Sequence, residues 1–212
     1  NWFVDLYGTG YYVKSGGNIE VKIANQESPN HKTNSGNFTY GNVASAWIDH
    51  GTAPANGNYE YVILPNKNAQ DMMLFSMHMQ MGIEYKVWQQ DVNAHILSFT
   101  SNGNEGYAIY EPSSGLQGRY IEASHQPVLT MAKLRGSMLS LRISNPDHNF
   151  TGSAPLFGAN QVMPITITLK GKWSLDLALS EVSSIAIVGD NTVFTINTTD
   201  GEAYDMNLTQ VN

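Results

Sequence analysis

The residues best equipped for chemistry are six histidines, His31, His50, His78, His95, His125 and His148. Two of them directly follow an aspartate, in Asp49-His50 and Asp147-His148. A metal centre needs ligands that converge, yet no two of the histidines are spaced four apart on a helix or alternate on a strand. Adjacent residues on a strand point to opposite faces, so each Asp-His pair reads as a turn hydrogen bond rather than a ligand set. Serine nucleophiles lack the Gly-x-Ser-x-Gly elbow. With no cysteine in the chain, thiol catalysis, Cys-zinc sites and disulfides are excluded. Gly8-Thr9-Gly10 is not followed by the helix that a phosphate-binding loop requires, so it reads as a hairpin turn. A paired-carboxylate glycosidase leaves no signature here. Trp47, Tyr40, Tyr59 and Trp88 offer flat faces for sugar rings, although strand aromatics more often pack in a core or across strands. No cofactor and no metal ligand set is expected, while a structural calcium or magnesium ion on backbone carbonyls and scattered aspartates needs no compact motif. The four Asn-x-Ser/Thr sequons, at Asn37, Asn149, Asn197 and Asn207, matter only in a eukaryotic secretory pathway.

The elements that must position these residues are mostly strands. Apolar and polar residues alternate at Ile19–Ile23, Tyr59–Ile63, Ile165–Leu169 and Val193–Asn197, the period of a half-buried strand. Further strands are expected at Ala44–Asp49, Glu84–Gln90, Ala94–Thr100, Gly106–Tyr110, Val128–Leu134 and Met138–Ser144. Ser15-Gly16-Gly17 and Asp190-Asn191 are expected turns. The exception is 69–81, free of Gly and Pro and rich in Met, Leu and Gln. Asn68 is its expected N-cap, Asp71 a favourable first-turn acid and Gly82 its C′ residue. Met72, Phe75, Met79 and Gly82 fall at helical spacing, and the methionines read as core fillers. About nine strands follow at regular spacing, the pattern of a β-sandwich. The stretch Asn145–Gln161 reads as a long loop rich in Pro, Gly and Asn.

The chain has 212 residues, 42% of them hydrophobic and 14% charged. That is enough apolar material for a core and too ordered a composition for disorder or a coiled coil. Its net charge of −7, with basic residues scattered singly, argues against binding nucleic acid. No apolar run approaches the ~20 residues of a membrane-spanning helix. The start at Asn1-Trp2-Phe3-Val4, without Met, reads as a trimmed or processed beginning whose targeting information is missing. Absence of cysteine fits a bacterial periplasmic or exported protein.

Two segments carry a resemblance. Ala44-Ser-Ala-Trp-Ile-Asp-His-Gly51 followed by Asn58-Tyr-Glu-Tyr-Val-Ile-Leu-Pro65 resembles the end of the central β-domain of family eight polysaccharide lyases, which include chondroitin, hyaluronan and xanthan lyases. The match continues in Gly8-Thr-Gly-Tyr-Tyr12, Gln26-Glu-Ser-Pro29 and Tyr85-Lys-Val-Trp-Gln-Gln-Asp-Val-Asn-Ala-His-Ile-Leu97. It extends through Gly106-Tyr-Ala-Ile-Tyr-Glu-Pro112, Ser144-Asn-Pro-Asp-His-Asn149 and Ile165-Thr-Ile-Thr-Leu-Lys-Gly-Lys-Trp173. It covers nearly the whole chain and is most similar to the broad-specificity chondroitin sulfate ABC group.

The resemblance implies an all-β fold. Residues 1–66 would be the C-terminal part of an antiparallel supersandwich. Residues 67–212 would be a smaller C-terminal β-sandwich led by the helix 69–81. It also implies an enzyme several times longer, whose helical toroid lies before Asn1. Such enzymes cleave on the non-reducing side of a uronic acid by β-elimination. The carboxylate is neutralised, a Tyr or His removes the C5 proton, and an acid assists the leaving oxygen. In the ABC group the His, Tyr and Arg come from the toroid and a Glu from the central β-domain, all upstream of Asn1, so no catalytic residue carries over. The chain is then expected to be a non-catalytic scaffold in a periplasmic or secreted bacterial glycosaminoglycan lyase. Its partner would be the rest of that lyase, with polysaccharide held through the toroid; neither nucleic acid nor membrane is an expected partner. A basic, aromatic-lined groove on this piece would contradict that expectation. The alternatives are a free-standing carbohydrate-binding module and an adhesin-like structural sandwich. Within the chain the substrate-contact candidates are Asn37, Tyr40, Trp47 and His50: the first two in the loop Asn30–Gly41, the third on the strand after it, the last in the family-like turn.

Overall fold

The computed structural model describes residues 1–15, 18–29, 38–146, 162–199 and 201–211. The expected loop at 145–161, the turn at 15–17, and His31, Asn37 and His148 lie wholly or largely outside the described residues. The chain divides into two compact units, Asn1–Met81 and Gly82–Asn212.

In the first unit, β1 (Trp2–Val4), β2 (Gly10–Ser15) and β5 (Glu60–Leu64) form a three-stranded antiparallel sheet in the order β1-β2-β5. The turn between β1 and β2 is organised by Asp5, whose Oδ1 accepts from the Tyr7 and Thr9 amides at 2.9 and 2.8 Å. Gly8 supplies the left-handed residue this turn needs, at φ +78°. Among the described residues, β3 (Asn18–Pro29) and β4 (Phe38–Asp49) pair only with each other, in an antiparallel ribbon of twelve register pairs from Asn18↔Asp49 to Pro29↔Phe38. The expected strands 19–23 and 44–49 lie at the Asn18–Asp49 end of this ribbon.

Helix α1 (Ala69–Gln80) forms where expected. Its residues include no β-branched side chain, Gly or Pro, so little opposes helix formation. Asn68 and Asp71 close a capping box. The Asn68 Oδ1 accepts from the Asp71 amide and the Asp71 Oδ2 accepts from the Asn68 amide, both at 3.0 Å. Gly82 follows in the left-handed region at φ +69°. Met72 and Met79 are buried, and Phe75 meets the Tyr12 ring edge-on at 5.6 Å. A Cβ at Gly10 would stand 2.2 Å from the Met72 Sδ, so glycine in the strand makes room for the methionine. The boundary expected near 66 grouped the helix with later residues. Its packing on β1 and β2 places it in the first unit, because its buried methionines fill that sheet's face.

The second unit is a sandwich of two antiparallel sheets. Its strands are β6 (Tyr85–Gln90), β7 (Ala94–Phe99), β8 (Glu105–Ile109), β9 (Ser113–Ser114), β10 (Ile121–Ser124), β11 (Val128–Arg135), β12 (Met138–Ser144), β13 (Val162–Lys170), β14 (Trp173–Leu175), β15 (Val182–Val188), β16 (Asn191–Thr199) and β17 (Ala203–Gln210). The seven-stranded sheet runs β14-β17-β12-β11-β8-β7-β6 and the five-stranded sheet β15-β16-β13-β10-β9. Alternate residues face inward: Ile165, Ile167, Leu169, Phe194 and Ile196 from one sheet meet Ile96, Ile109, Leu139, Leu141, Ile143 and Leu208 from the other. Fully burying each such side chain contributes about 1.5–3 kcal/mol. Among the described residues twelve strands form rather than about nine, because β9, β10 and β14 are too short to show a period. The β15–β16 turn is Gly189-Asp190, one residue before the expected Asp190-Asn191, since Gly189 takes the positive φ of +63° and Asn191 already pairs with Val188.

Candidate functional site

The ribbon decides where two of the candidate residues point. Tyr40 shares a face with Phe38, Ala44, Ala46 and Ile48 of β4 and with Ile19, Val21 and Ile23 of β3, because Val21 pairs with Ala46 and Ile23 with Ala44. This face is apolar from Ile19 to Ile23 and from Ala44 to Ile48, and polar beyond, where Asn25 pairs with Asn42 and Glu27 stands across from Tyr40; Val21, Ile23 and Tyr40 are 58%, 76% and 69% exposed. Trp47 lies on the opposite face across from Glu20, with Lys22 and Val43 nearby. Tyr40 and Trp47 therefore cannot hold one ligand between them.

His50 follows the end of β4. The expected turn hydrogen bond is present, and the aspartate makes it: the Gly51 amide donates to the Asp49 Oδ1 at 2.8 Å. The imidazole is left to face Tyr59, ring centres 6.3 Å apart, and Tyr59 stacks on Tyr61 at 5.8 Å. Tyr61, Ile63 and Tyr11 continue along the side of the three-stranded sheet away from α1, where Phe3 stacks on Tyr11 at 4.7 Å. Glu60, between the two tyrosines, turns to the other side and meets Lys14 at 2.9 Å. The result is a row of rings on an open apolar sheet face. Such a row can stack on a sugar or pack against another sheet. Of the four substrate-contact candidates, only His50 joins this row, and Asn37 is outside the described residues. Among the described residues no three His, Cys, Asp or Glu side chains gather as a metal site.

Two groupings in the second unit escaped the sequence reading. Glu105, fully buried, accepts from the Arg119 amide at 2.6 Å, from Arg119 Nε at 2.7 Å and from the Tyr107 hydroxyl. The Tyr107 oxygen in turn accepts from the Tyr120 and Ile121 amides at 2.9 and 3.3 Å. Burial, and then the Glu105 carboxylate, push the Tyr107 phenol far above its ordinary value. The second grouping is a concavity of about 350 Å³ on the outer face of the seven-stranded sheet, lined by Asn104, Met131, Lys133, Ser140, Arg142 and Asn207 among others. Its lining comes from strands up to 103 residues apart in sequence (Asn207 less Asn104). Only strand register assembles it, so no local motif announces it.

Comparison with known proteins places these elements. Residues 1–75 match the super-sandwich domain of polysaccharide lyase family 8. The chain is 29% identical over 210 residues to the chondroitin sulfate ABC endolyase of Proteus vulgaris, covering 98% of this chain and 20% of that protein. It is also 29% identical over 231 residues to the chondroitin sulfate ABC exolyase of Bacteroides thetaiotaomicron, covering 97% of this chain and 22% of the relative. The family 8 resemblance thus runs past residue 75 into the sandwich, and the chain spans about a fifth of each relative's length. Among solved structures, Paenibacillus xanthan lyase superposes with a TM-score of 0.70 at 18% identity, over 96% of this chain and 19% of that one. Streptomyces coelicolor A3 chondroitin AC lyase gives 0.69 at 17%, over 95% and 25%. At such identities these two show the fold: a supersandwich end followed by a smaller β-sandwich, with one short helix.

Proposed function

We propose that this chain is the non-catalytic C-terminal β-scaffold of a longer bacterial lyase. That lyase would act in the periplasm or outside the cell on chondroitin or dermatan sulfate or hyaluronan, by β-elimination at uronic acid. The observation that carries the reading is the open apolar face of the β3–β4 ribbon. Ile19, Val21 and Ile23 with Ala44, Ala46 and Ile48 make an apolar patch at one end of a two-stranded sheet, and a two-stranded ribbon by itself sustains such surface poorly. Further lyase strands covering that face would explain it, as would the curated relatives' much greater length. The open ring face of the three-stranded sheet fits the same reading. The helical toroid would then be the part that meets substrate, and the −7 chain would repel a sulfated polymer overall.

The test is the ultraviolet absorbance of unsaturated uronate when the chain alone is incubated with chondroitin sulfate, dermatan sulfate or hyaluronan. No product is expected. Robust turnover would overturn the reading and would place proton abstraction within the chain, at His50 and Tyr59. A second reading, a free-standing carbohydrate-binding module, is favoured by the His50–Tyr59–Tyr61 row alone. It requires saturable sugar binding that Tyr59→Ala and Tyr61→Ala abolish.

A further inference from the structure

The outer face of the seven-stranded sheet differs from the rest of this acidic chain. Its three neighbouring strands β11, β12 and β17 are in register as rows: Met131↔Arg142↔Asp205, Lys133↔Ser140↔Asn207 and Arg135↔Met138↔Thr209. Their outward charges are Lys133, Arg135 and Arg142 against Asp205, with Asp176 meeting Thr209 Oγ1 at 2.5 Å at the edge. Three cations against two anions make this face locally positive within a chain of net charge −7.

The polar groups are also of the right kind and spacing. Arg142 holds Asp205 at 3.2 Å with both side chains well exposed, a pairing weak enough to exchange for a ligand anion. No acid opposes Lys133 across the strands, since its row neighbours are Ser140 and Asn207. Lys133 and Arg142 are diagonal neighbours, roughly 7–8 Å apart at the backbone, so they can hold two separate acidic groups on one ligand. Ser140 Oγ donates to the Asn207 Oδ1 at 2.7 Å, which orients the Asn207 amide to donate outward. Asn104 lines another side of the concavity. Met131 gives an apolar floor between the polar groups.

We propose that this concavity is a binding site for an acidic oligosaccharide. Lys133 and Arg142 take carboxylate or sulfate groups, the Asn207 amide takes a hydroxyl, and Met131 lies under a ring. Hydroxyl-rich sugars match paired amide donors and acceptors. Three cations over three strands are too few for the dense phosphates of nucleic acid. The lining includes no aromatic ring, so binding here rests on charge and hydrogen bonds and weakens with salt. The site is in the second unit and stands apart from the scaffold reading, which rests on the first.

The experiment is an amide-resolved NMR titration of the chain with a chondroitin 4-sulfate hexasaccharide at low salt. Maltohexaose and sodium sulfate serve as separate probes. Saturable shifts are expected at 131–133, 140–142 and 205–207, with weaker affinity as salt rises. The double variant Lys133→Ala/Arg142→Ala should weaken affinity at least tenfold while amide shifts elsewhere stay as in the parent. Asp205→Asn, which frees Arg142, should tighten binding severalfold. Shifts that map elsewhere, or an affinity unchanged in the double variant, would overturn the site. Equal shifts with maltohexaose would overturn its preference for acidic sugars. Equal shifts with sulfate alone would reduce it to an adventitious anion site.

Discussion

Glu105 shows how a single buried charge can organise the segments around it. Its carboxylate is fully buried, while Arg119 is 41% exposed on its side chain. The two partners are therefore unequal. Arg119→Ala leaves the buried carboxylate without its cation, held only by the residue-119 amide and the Tyr107 hydroxyl, and should cost about 3–5 kcal/mol in urea unfolding. Glu105→Gln leaves an arginine that can turn to water and should cost less, about 1–3 kcal/mol. The phenol of Tyr107 adds a pH dependence. Its folded value is raised above the ~10 of an unfolded tyrosine, so the unfolded chain loses this proton first. The stabilisation is complete below pH ~10 and declines above it, and thermal melts across pH 8–11 should show an alkaline loss that Tyr107→Phe reduces. None of this was legible in the sequence. Gly106–Tyr110 reads as a strand, but Arg119 sits 14 residues from Glu105 outside any periodic segment. Asp49-His50 teaches the same point in a smaller way: the pair does form a turn, but the aspartate makes the hydrogen bond and the imidazole lies tilted beside the Tyr59 ring.

The elements were more legible. The helix 69–81 is the clearest case, since its cap, its buried methionines and its terminal glycine are all local signals. Asn68→Ala should remove about 1 kcal/mol from the first unit, read by thermal denaturation. The strands show where local signals stop. Alternation at Ile19–Ile23 marks a strand, but not that it extends to Pro29 with its apolar face uncovered, because coverage depends on residues far away in space. That face yields its own prediction. Val21→Lys with Ile23→Lys should reduce binding of an apolar fluorescent dye while changing stability by less than about 0.5 kcal/mol per site. A large loss of stability would mean that the face is already packed within the chain.

For the molecule as a whole, family-like wording is legible along nearly the entire length, and the model match and the relatives agree with it. The concavity on the second unit is the counter-example, because it exists only once β11, β12 and β17 are in register. The central claim is that the first unit provides surfaces for further lyase structure rather than chemistry. Each ribbon strand uses only one edge, so alternate amides on the outer edges of 18–29 and 38–49 lack partners within the ribbon. The most direct measurement is hydrogen exchange at those amides, in the chain alone and in the longer polypeptide that the proposed function requires. The account predicts fast exchange alone and strong protection in the longer polypeptide. Equal, fast exchange in both would contradict it.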